Sequence, residues 1–97
     1  MNVDLFQQSL ANNEPLAGSS VYLQSLWYAA KGNWDKAHTL IQDLEDADAA
    51  WIHGYLHWQE GDLFNADYWY RRAARKRPSH SLEDEWTNIA TALSSSL

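Results

Sequence analysis

Three histidines and a dense run of aromatic residues are the side chains here with the most chemical reach. His53 and His57 stand four residues apart, the spacing that puts two imidazoles on one helix face, where they can share a metal ion. His38 lies in the preceding segment and becomes a third ligand if the two segments pack side by side. A metalloprotease helix carries a Glu directly after its first His as general base, whereas here Gly54 follows His53. Histidines so placed more often complete a hydrogen-bonded core. The first expectation is therefore a protein without a metal or other cofactor. The alternative is a metal or small-molecule site on His38, His53 and His57, with Asn65, Tyr68 and Arg71 or Arg72 around it.

The remaining candidates are weaker as chemistry. Glu60, Asp62 and Asp67 offer carboxylates for acid–base work, but Asp62 directly follows Gly61, where a helix cap accounts for it. No nucleophile-and-base signature, phosphate-cradling glycine loop or dinucleotide fingerprint occurs, and catalysis is not expected. Arg71, Arg72, Arg75, Lys76 and Arg77 form the only basic cluster. Cations in the last turns of a helix complement its dipole, and Arg71, Arg72 and Arg75 are also candidates for an anion or an acidic peptide. The chain of 97 residues carries thirteen acids and seven bases, a net charge of −6. That balance opposes nucleic acid and anionic membranes as partners. The absence of cysteine excludes disulfides, thiolate zinc sites and cysteine nucleophiles. No apolar run approaches the roughly 18 residues of a membrane span, and Met1-Asn2-Val3-Asp4 lacks a secretory pattern. A cytoplasmic location is expected.

Gly and Pro punctuate the chain into helical lengths. Helix one is predicted over Val3–Ala11, with Val3, Phe6 and Leu10 on its inner face. Helix two runs from a cap at Ser19 or Ser20 to Lys31, with Leu23, Leu26, Trp27 and Ala30 as its stripe. Helix three follows from an Asn33 cap, with Ala37, Leu40, Ile41 and Leu44 at i, i+3, i+4 and i+7. Helix four spans Ala49–Glu60 from an Asp48 cap. Asp62 caps helix five, which turns Leu63, Ala66, Trp69, Tyr70 and Ala73 inward and stops before Pro78. Helix six opens at Ser81 with Leu82, Trp86, Ile89 and Leu93 inward, and the tail from Ser94 to Leu97 should fray. The predicted fold is all-α: about six short antiparallel helices forming three helical hairpins.

Gly32-Asn33-Trp34-Asp35-Lys36-Ala37 aligns on Gly61-Asp62-Leu63-Phe64-Asn65-Ala66, an internal repeat of 29 residues. In each copy a Gly ends one helix, a cap starts the next, and a small Ala lets the two helices approach. Gly54, Gly61, Ala66, Tyr70, Ala73 and Pro78 stand at the spacings of the tetratricopeptide signature, which the second copy resembles. Tyr28, Gly32, Trp34 and Ala37 carry the weaker likeness of the first. Departures are Val21 and Ala50 where that family has Trp, His57 where it has Tyr, and a period shorter than its roughly 34 residues. The segment Trp51–Ala73 is also similar to one in small bacterial proteins. The likeness divides a single domain into an N-terminal helix and linker (1–18), two repeats (19–47 and 48–78) and a capping helix (79–97).

Helix four holds the aromatic run. At about 100° per residue, Trp51, Tyr55, Trp58 and Gln59 fall on one face. In tetratricopeptide proteins the corresponding face lines the partner groove, and Tyr22 extends it from helix two. The resemblance thus implies an interaction module that binds a protein or peptide through Tyr22, Trp51, Tyr55, Trp58 and Gln59. The competing use of the same rings is packing against helix one or six. A homodimer closed by the same face is a further alternative.

Overall fold

In a computed structural model that describes residues 2–94, short polar side chains open every helix by accepting a free N–H of its first turn. Asn2 does so for α1 (Val3–Gln8), Ser20 for α2 (Val21–Ala30) and Asn33 for α3 (Trp34–Ile41). Asp46 opens α4 (Ala47–Gln59), Asp62 opens α5 (Leu63–Arg72), and Ser81 opens α6 (Leu82–Ser94) by bonding Asp84 N–H at 3.1 Å. A single 3₁₀ turn, Ser9–Ala11, follows α1. The described residues are all-helical apart from turns and loops, as the sequence predicts, and no helix among them is long and apolar enough to cross a membrane.

Several boundaries differ from expectation. The first helix tightens into its 3₁₀ turn after Gln8 instead of continuing to Ala11. α3 stops at Ile41, so Leu44 packs from the following turn rather than from the helix. α4 begins earlier, because Asp46 takes the capping bond to Ala49 N–H at 3.2 Å and leaves Asp48 inside the first turn. Ser94 belongs to α6, and the expected fraying of residues 95–97 lies outside the described residues.

α4 is the centre of the molecule. It packs against α2, α3, α5 and α6, while α1 lies on α6. Every residue from Ala49 to His57 is buried, so this helix has no solvent face along that run. Its approach to α5 is close at Gly54, where an added Cβ would lie 2.6 Å from Tyr70 Cδ2 and 3.2 Å from the Ala66 carbonyl oxygen. Ala66 itself is fully buried.

Among the described residues the core contains one carboxylate. Glu85, on α6, is 2% exposed. Its Oε2 accepts from Trp51 Nε1–H at 3.0 Å and from the Tyr70 hydroxyl at 2.7 Å. Its Oε1 accepts from His80 Nε2–H at 2.9 Å and from Asn88 at 3.3 Å. Burial alone would push this carboxyl up, and the four donors more than reverse that, holding it below the ordinary glutamate value. One side chain thereby ties α4, α5, the 80s turn and α6 together. Burial pushes the two neighbouring phenols the other way: Tyr55 rises to about 12 and Tyr70 higher still, both also under the influence of Glu85.

Three helix ends close in the same manner. Asn33 N–H bonds to the Tyr28 carbonyl and Gly32 N–H to that of Ala29; the pairs recur as Asp62–His57 with Gly61–Trp58, and as Arg75–Tyr70 with Ala74–Arg71. The residue that makes the reversal is left-handed in each case: Gly32 at φ +82°, Gly61 at +90° and Ala74 at +60°. Glycine adopts this conformation freely, whereas a Cβ makes it cost about 1–2 kcal/mol. Ala74→Gly should therefore stabilise the protein by up to about 1 kcal/mol, net of glycine's greater chain entropy when unfolded, as measured by urea denaturation. For Glu85, a folded value below the unfolded one means stability that is present above about pH 4.3 and fades as pH falls through the folded value. Glu85→Gln should cost about 2 kcal/mol or more at neutral pH. The gap to the unmodified protein should narrow as unfolding is followed from pH 5 downward.

Candidate functional site

The Asn33 cap starts α3 at Trp34, and one helical turn later comes His38. Both side chains face α4, where His53 and His57 again lie one turn apart. α3 packs on α4, so three imidazoles converge. His38 Nε2 and His53 Nε2 are 3.0 Å apart. The ring centroids are 4.7 Å apart for His38 and His53, 4.9 Å for His53 and His57, and 5.4 Å for His38 and His57. One ring nitrogen from each of the three lies within 4.8 Å of the others.

Two indoles wall the cluster. Trp69 of α5 stacks on His53 at 3.9 Å between centroids, 11° from parallel. Trp34 stacks on His38 at 4.7 Å and leans on His57 at 5.7 Å, with its own N–H bonded to the Leu56 carbonyl at 2.7 Å. His53 and His57 are buried and His38 is half-buried. His53 is pushed down to about 3, first by burial and then by the positive charge that His38 and His57 would carry. His38 is lowered by burial and by His57, with Glu60 and Asp35 opposing. A proton shared across the 3.0 Å contact satisfies one pair of nitrogens. His53 is thus neutral at ordinary pH, and its Nε2 becomes available to a ligand only when the bond to His38 is given up.

His57 is held from outside the cluster. Its Nδ1–H donates to Glu60 Oε2 at 2.7 Å, which leaves Nε2 as its free nitrogen. A carboxylate on the far nitrogen of an imidazole is the arrangement that fixes tautomer and ring orientation in histidine metal ligands. A tetrahedral ion with metal–nitrogen bonds of about 2.0–2.1 Å sets its ligand nitrogens roughly 3.3 Å apart. The 3.0 Å pair therefore needs to open by only a few tenths of an ångström to admit one. Glu60 and Asp62 also form a group with His57 within the same 4.8 Å, but the Asp62 carboxylate is occupied as the cap of α5, bonded to Asn65.

The structure separates the expected partner stripe. Trp51 and Tyr55 are 3% and 4% exposed and belong to the core. Trp51 bonds to Glu85, and the face that the repeat resemblance gives to a groove is packed against α6. The expectation of an accessible Trp51–Tyr55–Trp58 stripe is corrected for Trp51 and Tyr55, which are buried; α6 packs on that side and leaves an open cleft of about 440 Å³ whose lining includes Tyr55, Gln59, Ala29 and Trp86. Trp58 and Gln59 are half-buried, with Gln59 Nε2–H reaching the Ala29 carbonyl at 3.3 Å. Tyr22, also half-buried, donates to the capping Asp46 at 2.9 Å. Of the expected anion-binding residues, Arg72 bonds to the Tyr68 hydroxyl at 3.2 Å and lies over Trp69. Arg75 stacks 3.5 Å above the Trp51 ring, and Arg71 is exposed. Tyr68 and Asn65 sit on α5 and are engaged away from the histidines, with Arg72 and Asp62 as their respective partners.

Comparison of the chain with protein-family models, with curated proteins and with solved structures gives no match.

From the sequence, Trp34 enters only through the repeat and Glu60 only as a candidate carboxylate, and neither of them, nor Trp69, is tied there to the histidines. Trp34 and Glu60 stand one helical turn from His38 and His57, at i−4 and i+3, so their intervals alone could have flagged them. Trp69 was placed inward but not against His53, a contact that depends on how α5 sits on α4. The stripe is checked by thermal unfolding: Trp51→Ala should cost about 3–5 kcal/mol as a core aromatic, with Trp58→Ala distinctly milder.

Proposed function

We propose that this chain is a small helical metal-binding protein that holds a zinc-class divalent ion on His38, His53 and His57. The observation that carries the reading is the convergence of three imidazole nitrogens from two helices within 4.8 Å, two of them already at 3.0 Å. Spacing along the chain left this conditional on helix packing. Neutral imidazoles suit zinc, copper, nickel or iron, and three nitrogen ligands without sulfur leave a fourth position for water or an incoming donor. Glu60 supports the set through His57 Nδ1, and the indoles of Trp34 and Trp69 keep the imidazoles oriented and partly dry.

A protein- or peptide-binding role, which the repeat resemblance implies, has less support because Trp51 and Tyr55 are used in the core. The metal reading is tested on EDTA-treated, dialysed protein titrated with Zn²⁺ against a chromophoric chelator, and with Co²⁺ for its tetrahedral visible spectrum. One equivalent should bind, and Zn²⁺ at a hundredfold excess over its Kd should raise stability by about 2.7 kcal/mol. Half-buried His38 can be changed to Ala with little effect on the fold, and that variant should lose the tetrahedral spectrum. Glu60→Gln should weaken binding by about 10–100-fold. Absence of saturable binding, or binding indifferent to His38→Ala and His53→Ala, would defeat the proposal.

A further inference from the structure

The end of α5 and the chain that follows it enclose an open cleft of about 500 Å³, whose walls include Asp67, Tyr70, Arg71, Arg75, Lys76 and Arg77. Four cations thus meet one carboxylate, in a chain whose net charge is −6. The carboxylate is already matched: Asp67 accepts from Arg77 at 2.8 and 3.4 Å in a two-point contact. Arg71 and Lys76 make no side-chain hydrogen bond or ion pair among the described residues. The Arg75 guanidinium carbon sits 3.5 Å from the centre of the Trp51 ring, a cation–π contact that holds the group in place and leaves its N–H groups to donate elsewhere. A second acid, Glu85, lies behind the cleft, bonded to Trp51 and Tyr70 and consumed by its four donors. The reversal at Ala74, left-handed at φ +60°, brings Arg75–Arg77 back beside Arg71.

We infer that this cleft is a binding site for a small phosphate-bearing molecule, with Arg71, Arg75 and Lys76 as its anion-holding groups. Three cations unpaired by any carboxylate match a multiply charged oxyanion, and guanidinium forks suit the two-point geometry of phosphate oxygens. The volume exceeds that of a lone phosphate and leaves room for an organic portion. The site is independent of the histidine cluster, since it uses none of the same side chains.

Inorganic pyrophosphate and inorganic phosphate are the probes, titrated calorimetrically into the full chain with EDTA present so that metal–phosphate contacts make no contribution. An acidic peptide and a single-stranded oligonucleotide form the comparison arm. Saturable pyrophosphate binding that weakens as salt is raised is expected. Exposed Arg71 and Lys76 can be replaced without disturbing the core, and Arg71→Ala or Lys76→Ala should each weaken binding about tenfold, the loss of one charge-assisted hydrogen bond. Arg75→Lys keeps the charge but removes the stacked fork, and should weaken pyrophosphate by a similar factor. No binding of either probe, or equal affinity in the Arg71→Ala/Lys76→Ala double variant, overturns the assignment. Binding confined to the peptide or the oligonucleotide overturns it too, in favour of a macromolecular partner.

Discussion

A buried carboxylate is affordable only where enough donors surround it, and Glu85 sets that condition for most of this molecule. Desolvating a lone carboxylate costs several kcal/mol, and breaking up the donors around it leaves a buried charge without compensation. The four donors come from separate places in the chain: Trp51 on α4, Tyr70 on α5, His80 in the turn and Asn88 on α6. None of these elements can move without releasing its donor. Tyr70, so held, presses its ring toward α4, and Gly54 is the residue that leaves room for it. The close α4–α5 approach then carries Trp69, the neighbour of Tyr70, onto His53. The histidine cluster is thus positioned partly by an acid that never touches it.

Specificity of packing also explains why α4 lacks a polar side. A central helix surrounded by four others has no solvent edge from Ala49 to His57, yet the sequence places two histidines there. Imidazoles in such a position need partners. His53 finds His38 and the face of Trp69, while His57 finds Glu60 at the more exposed C-terminal end of the helix. Apolar side chains of similar volume would satisfy the packing without the penalty of burying rings that carry nitrogen donors and acceptors. The cluster is a polar solution at a place where an apolar one was open.

Much of the architecture was legible because it rests on local rules. Asn33, Asp62 and Ser20 read as caps and act as caps; Gly32 and Gly61 read as stops and are left-handed. The inner stripes of α1 and α6 also appear as the periodicity predicts, with Phe6, Trp86 and Ile89 buried. Periodicity says which residues share a face, and says nothing of what that face meets. Trp51 and Tyr55 were therefore placed together correctly and assigned to the wrong surroundings, since whether α6 covers them depends on contacts more than 30 residues away. Glu85 illustrates the same limit from the other side. Three residues after Leu82 and four before Ile89, it occupies an inward position of α6, and an acid there should have prompted a search for buried donors.

Residues 69, 70 and 71 show how the small fold keeps its two polar regions apart. Successive residues on a helix point about 100° from one another. Trp69 accordingly lies on His53, Tyr70 enters the core to reach Glu85, and Arg71 emerges beside the basic cleft. The histidines occupy one flank of α5, where Arg72 lies over Trp69, and the cations of the cleft occupy the other, with the Glu85 network between them. That separation has an electrostatic consequence. Guanidinium groups placed beside the imidazoles would oppose a cation held there, while carboxylates placed in the cleft would oppose an anion. Glu60 lies instead on the histidine side, and Asp67, the acid in the cleft wall, is neutralised by Arg77. Of the five clustered cations, Arg71, Arg75, Lys76 and Arg77 thus line the cleft, and Arg72 alone lies over the indole that stacks on His53.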